Sequence, residues 1–127
     1  MIEAQCMCGA VQFAIDGPVR DVIVCHCSVC RRLHGGAASY SACAVGDLDI
    51  RRGDALRWFE YNRAEYGFCS ECGSRLFWRR PPVRTVSFNA ACLPSPSGLR
   101  TTHHIWVGSA GDYEDLTTEL PCQLEAS

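Results

Sequence analysis

Seven of the ten cysteines in this 127-residue chain fall into three tight groups, and that clustering limits what the chain can fold into more than any other feature. Cys6 and Cys8 stand in CMCG, Cys25, Cys27 and Cys30 in CHCSVCRR, and Cys69 and Cys72 in FCSECGSRLFW. C-x-C and C-x-x-C are chelating spacings, in which neighbouring thiolates reach one ion. Four outer and three central thiols therefore predict two zinc sites. Zinc prefers tetrahedral sulfur or nitrogen ligation, and a structural site closes all four positions. Cys6, Cys8, Cys69 and Cys72 supply such a set, and one ion between pairs roughly sixty residues apart would tie the first strand to a hairpin in the middle of the chain. Gly9 and Gly73 directly follow the second cysteine of each pair, where a tight turn aiming backbone N–H groups at sulfur calls for a residue without a Cβ.

Cys25, Cys27 and Cys30 make a three-thiolate site with a position to spare. His26 lies between two of them, and in an extended loop its side chain points away from the ion. His34 is the rival fourth ligand, since Cys25, Cys27, Cys30 and His34 would form a closed set. The open position is the favoured reading and closure by His34 the alternative. Zinc with three thiolates is already net negative, which makes it a poor generator of hydroxide but a suitable acceptor of a fourth soft ligand, a substrate thiol. A thiolate held this way can add to an electrophilic carbon such as an aldehyde carbonyl. Arg31 and Arg32, next along the chain, either offset the negative charge and pair with a substrate carboxylate or form a solvated basic turn.

Composition decides between metal and disulfides. The start, MIEAQCMCG, has an acidic residue at position 3 and no apolar segment of a secretory signal, so a cytoplasmic protein is expected. Thiols there stay reduced, which favours metal ligation; the disulfide scaffold of a secreted protein is the competing account of an even cysteine count. A net charge of −2 argues against a nucleic-acid surface, and no apolar run of about 18 residues could span a membrane. All 12 basic residues are arginine, which excludes a Schiff-base lysine.

Periodicity predicts short strands. Gly9–Asp16 alternates, with Val11, Phe13 and Ile15 on one face. Further strands are expected at Asp21–Val24, Ser39–Val45, Leu48–Arg51, Leu56–Tyr61, Thr85–Asn89 and His103–Val107, with a zinc knuckle at a hairpin tip around Cys69 and Cys72 and one helical turn at Ala90–Leu93. Asp21–Val24 would deliver the chain into Cys25, placing the central cluster on a loop. No window carries a convincing amphipathic helix, so residues 1–127 are expected to form a single all-β domain. Cys43, Cys92 and Cys122 read as small buried hydrophobes, and His103 and His104 as packing or surface residues.

CMCGAV, CHCSVCRR, FCSECGSRLFW and HIWV, in this order, resemble the glutathione-dependent formaldehyde-activating enzyme family, also called the S-(hydroxymethyl)glutathione synthase or centromere protein V family. The resemblance covers about residues 3–121. It implies coiled antiparallel β-sheets of the β-tent type shared with methionine-R-sulfoxide reductases. It places structural zinc ligands on Cys6, Cys8, Cys69 and Cys72, and catalytic zinc ligands on Cys25, Cys27 and Cys30. The implied activity is condensation of formaldehyde with glutathione to S-hydroxymethylglutathione, a carbon–sulfur lyase reaction in reverse. Asp112-Tyr113 departs from the family's common Pro-Trp after the HIWV strand, which bears on the substrate. Two other classes compete: a zinc-stabilised binding module, which needs no open metal position, and a sulfoxide reductase, which needs a redox cysteine among Cys43, Cys92 and Cys122.

Overall fold

The computed structural model describes residues 1–126. In chain order its strands are β1 (Ile2–Gln5), β2 (Gln12–Ile15), β3 (Val22–Cys25), β4 (Ala38–Ala44), β5 (Leu48–Arg52), β6 (Leu56–Tyr61), β7 (Ala64–Cys69), β8 (Arg75–Arg79), β9 (Thr85–Asn89) and β10 (Thr101–Ile105). One α-helix, α1 (Ser28–His34), and three single 3-10 turns complete the described elements. The chain divides into two compact units: Met1–Arg20 with Ser41–Gly98, and Asp21–Tyr40 with Leu99 onward.

The first unit contains an antiparallel sheet in the order β1-β2-β5 and an antiparallel run in the order β6-β7-β8-β9. The alternation read in the sequence is real: Val11, Phe13 and Ile15 are buried, and Phe13 packs edge-on against Phe77 with ring centroids 4.8 Å apart. Phe88, Val86 and Leu76 close the same core. Two local features fix the β6–β7–β8 meander. Asn62 and Arg63 both have positive φ, at 52° and 64°, so Tyr61 and Ala64 are joined by a tight two-residue turn whose twist suits a hairpin. Gly67 lies between Trp58 on β6 and Phe77 on β8; a Cβ there would come within 3.1 Å of both side chains, and its absence lets the two rings stack across the strand at 5.8 Å.

The second unit holds β3 paired antiparallel with Ala38–Tyr40 of β4, and parallel with β10. That parallel pair departs from the all-antiparallel expectation, because local alternation carries no information about strand direction. β10 also starts and stops two residues earlier than the sequence suggests. Trp106 takes a left-handed conformation with φ 57°, which ends the strand and leads into a 3-10 turn at Val107–Ser109. Beyond it the chain returns alongside β10, with the His104 N–H donating to the Pro121 carbonyl and the Gln123 N–H to the His104 carbonyl, both at 2.9 Å.

β1 is the strand that the sequence reading misses, since its four residues are too few for a period to show. α1, only seven residues long, escapes it for the same reason. No described helix is long and apolar enough to cross a membrane.

Candidate metal centres

Both predicted thiol groups assemble. In the first unit Cys6, Cys8, Cys69 and Cys72 bring their sulfurs within 4.8 Å of one another. Cys6 and Cys69 are buried in the core, and Cys8 faces solvent. The two chelating turns are alike. Gly9 and Gly73 both have φ 79°, where a side chain is disfavoured, and their N–H groups donate to the carbonyls of Cys6 at 3.2 Å and Cys69 at 2.8 Å. This is the turn expected from the glycine after each pair.

The sulfurs are also hydrogen-bonded as thiolates would be. Val11 N–H points at Cys6 Sγ at 3.3 Å, and the Ser74 hydroxyl lies 3.1 Å from Cys72 Sγ while accepting the Met7 N–H. Burial pushes the Cys72 thiol up, but the Ser74 hydroxyl and N–H and the Cys8 N–H outweigh it and hold the thiol at about 5. Cys8 moves the other way: the Ala10 N–H pulls it down, yet desolvation and its neighbouring sulfurs push it up to about 11. Ser74 is a site residue that the sequence reading passed over, though the sequence CGS gave a hint of it.

In the second unit Cys25, Cys27 and Cys30 likewise place their sulfurs within 4.8 Å of one another. The trio is not confined to a loop. Cys25 ends β3, Cys27 is the N-cap of α1, and Cys30 lies in its first turn. The Cys27 sulfur accepts the Cys30 N–H at 3.3 Å, performing the capping role that a serine or aspartate side chain usually takes. The three thiols compete for ionisation. Hydrogen bonds from Cys25 and then Cys30 hold Cys27 far down, at about 2, whereas Cys25 is pushed up to about 11 by its bond to Cys27, and Cys30 is pushed up by both partners.

The spacing of the sulfurs suits a soft cation. A tetrahedral ion with metal–sulfur bonds of about 2.3 Å needs sulfurs about 3.8 Å apart. Cys6 and Cys8 are 3.7 Å apart, and Cys8 and Cys69 are 3.9 Å apart. In both clusters the thiols compete for ionisation, which a cation among them would relieve. Both groups could therefore hold metal ions.

The histidines occupy different places from one another. His34 does not converge with the trio; its Nε2 is 3.0 Å from the Tyr40 hydroxyl. His26 is also outside the converging group and is buried, with Nε2 2.9 Å from His104 Nδ1. His104 is thereby tied to the segment that carries the three cysteines, a link between residues 78 apart that no local pattern reveals. Arg31 is half-buried, with a buried Nε that lacks a hydrogen-bond partner, whereas Arg32 is exposed. Cys43 is buried and Cys92 partly so, as expected, but Cys122 is exposed. It sits on the returning segment bridged to His104, where backbone pairing rather than a core holds the chain.

A mostly β fold with a four-thiol and a three-thiol cluster defines a class of protein organised around cysteine sites able to hold metal ions. The chain belongs to the glutathione-dependent formaldehyde-activating enzyme family, whose model matches residues 1–109. It is similar to the crystal structure of a Rhodobacter sphaeroides protein, a structural-genomics target, at 27% identity and a TM-score of 0.58, over 78% of this chain and 91% of that one. No curated protein matches the chain.

Proposed function

We propose that the chain is a zinc-dependent carbon–sulfur lyase of the β-tent type that condenses formaldehyde, or a related aldehyde, with the thiol of glutathione. The observation that carries the reading is the unequal ligand count of two converged clusters in a member of this family: four cysteines in one, three in the other, with His34 turned to Tyr40 instead of closing the trio. Cys6, Cys8, Cys69 and Cys72 would hold a structural zinc, and Cys25, Cys27 and Cys30 a catalytic one. Zinc held by Cys25, Cys27 and Cys30 would supply positive charge that allows several sulfurs to be ionised together and would accept an incoming thiol as a further soft ligand.

The chain's own residues do the rest. Cys27, capped onto the start of α1, and Cys25, at the end of β3, hold the trio on two regular elements rather than on a free loop. Arg31, one residue after Cys30 and with a buried Nε in want of a partner, is the cation for a carboxylate of the thiol substrate. In the reaction the substrate sulfur bonds to the carbonyl carbon, the carbon–oxygen π bond opens, and the thiol proton ends on the oxygen, giving the S-hydroxymethyl adduct with no redox change. The reverse reaction breaks the same carbon–sulfur bond.

The test is a titration of the cobalt-substituted protein with glutathione, followed through the cobalt–thiolate absorption. A saturable shift that is lost in Cys27→Ser supports the reading. An unchanged spectrum with glutathione and with other small thiols would falsify it in favour of a binding module.

A further inference from the structure

His26 separates Cys25 from Cys27, and at 3% exposure its ring has to find partners inside the protein. One nitrogen has done so: Nε2 lies 2.9 Å from His104 Nδ1. The other, Nδ1, is buried without a hydrogen-bond partner and faces Glu114 Oε1 at 3.9 Å. Two imidazole nitrogens in contact need one proton between them. With that proton on His104, His26 accepts at Nε2 and carries its own hydrogen on Nδ1, toward the carboxylate.

Glu114 is itself held in place. The Gly111 N–H donates to its Oε2 at 2.7 Å, and its own N–H donates to the Gly111 carbonyl at 2.9 Å. Glu114 also lies beyond residues 1–109, the stretch that the family model covers.

We propose that Glu114 and His104 clamp His26 from its two sides, making Glu114 a positioning residue that sets how Cys25 and Cys27 present their sulfurs. A ring hydrogen-bonded at Nε2 and facing a carboxylate 3.9 Å from Nδ1 cannot rotate without breaking the first contact and leaving the second, so the backbone from Cys25 to Cys27 inherits its rigidity. The consequence for metal retention rests on the trio being a metal site; the clamp itself does not.

The test compares the full chain with Glu114→Ala and with Glu114→Gln, whose amide oxygen can still accept a hydrogen bond. Ring N–H NMR is expected to show a slowly exchanging His26 Nδ1–H in the parent and in Glu114→Gln, and to lose it in Glu114→Ala. Chelator competition on the cobalt-loaded protein should release the ion of the trio about 10-fold more readily in Glu114→Ala, with Glu114→Gln close to the parent and the four-cysteine ion unaffected. Equal protection of the ring N–H in the parent and in Glu114→Ala overturns the proposal, as does unchanged affinity at the trio. A parent chain that binds a single ion sinks the metal reading instead, and the NMR comparison alone then decides the clamp.

Discussion

The Cys27 sulfur accepts the backbone N–H of Cys30 at 3.3 Å, so a single side chain is both a candidate ligand and the N-cap of α1. Serine at this position keeps a capping oxygen and loses the soft ligand; alanine loses both. Cys27→Ser should therefore keep the fold while the metal content falls from two ions to one, measured by elemental analysis. Cys27→Ala should show the same loss and a further destabilisation of about 1 kcal/mol in denaturant titrations.

Gly73 tests the four-cysteine turn separately from packing. Its φ is 79° and a Cβ would meet nothing within 4 Å, so substitution carries only the backbone cost of the left-handed conformation. Gly73→Ala is expected to lose about 1 kcal/mol in chemical denaturation without removing the ion.

Phe77 is 1% exposed, touches Phe13 edge-on and stacks on Trp58 across Gly67. Phe77→Ala opens a cavity that both rings line. A loss of about 3–5 kcal/mol is expected from urea unfolding, and a loss below about 1 kcal/mol would mean that the site collapses around the gap.

The three lone cysteines should separate by reactivity. Burial, then the charges on Cys6 and Cys72, pushes the Cys92 thiol up to about 12; burial, then Asp47, pushes Cys43 up to about 11. Cys122 is exposed. Alkylation of the folded protein at mildly alkaline pH, read by peptide mass spectrometry, should label Cys122 ahead of both others, because the thiolate is the reactive form.

His104 gives the fold a dependence on pH. Burial, then the neighbouring His26 and His103, lowers its pKa below the ordinary 6.5. The neutral form is thus favoured in the folded chain, so its contribution is complete above the unfolded value and fades as pH falls through 6.5 toward the lower folded value. Thermal midpoints should drop on acidification from neutral pH to about 5, and His104→Gln should show a smaller drop than the parent.

What could be read without coordinates was whatever depends on neighbours in the chain. The chelating pairs, the left-handed glycines after Cys8 and Cys72, the inward row of Val11, Phe13 and Ile15, and the β6, β9 and Ala90 segments all follow from spacing and period. Short elements escaped for want of enough residues to set a period, which is why β1 and α1 were missed.

Only the tertiary structure decided which of several local possibilities became real. His34 could have closed the trio by spacing alone, but its ring turns to Tyr40. His26 and His104 look independent in the sequence and meet through the parallel pairing of β3 with β10, while Glu114 arrives from a later turn with no motif to announce it. The amino-acid order determined the kinds of ligand and their chelating turns, because those are set by a few adjacent dihedral angles. Which residues stand behind the ligands was left to long-range strand pairing, whose register and direction are fixed by the packing of the whole unit.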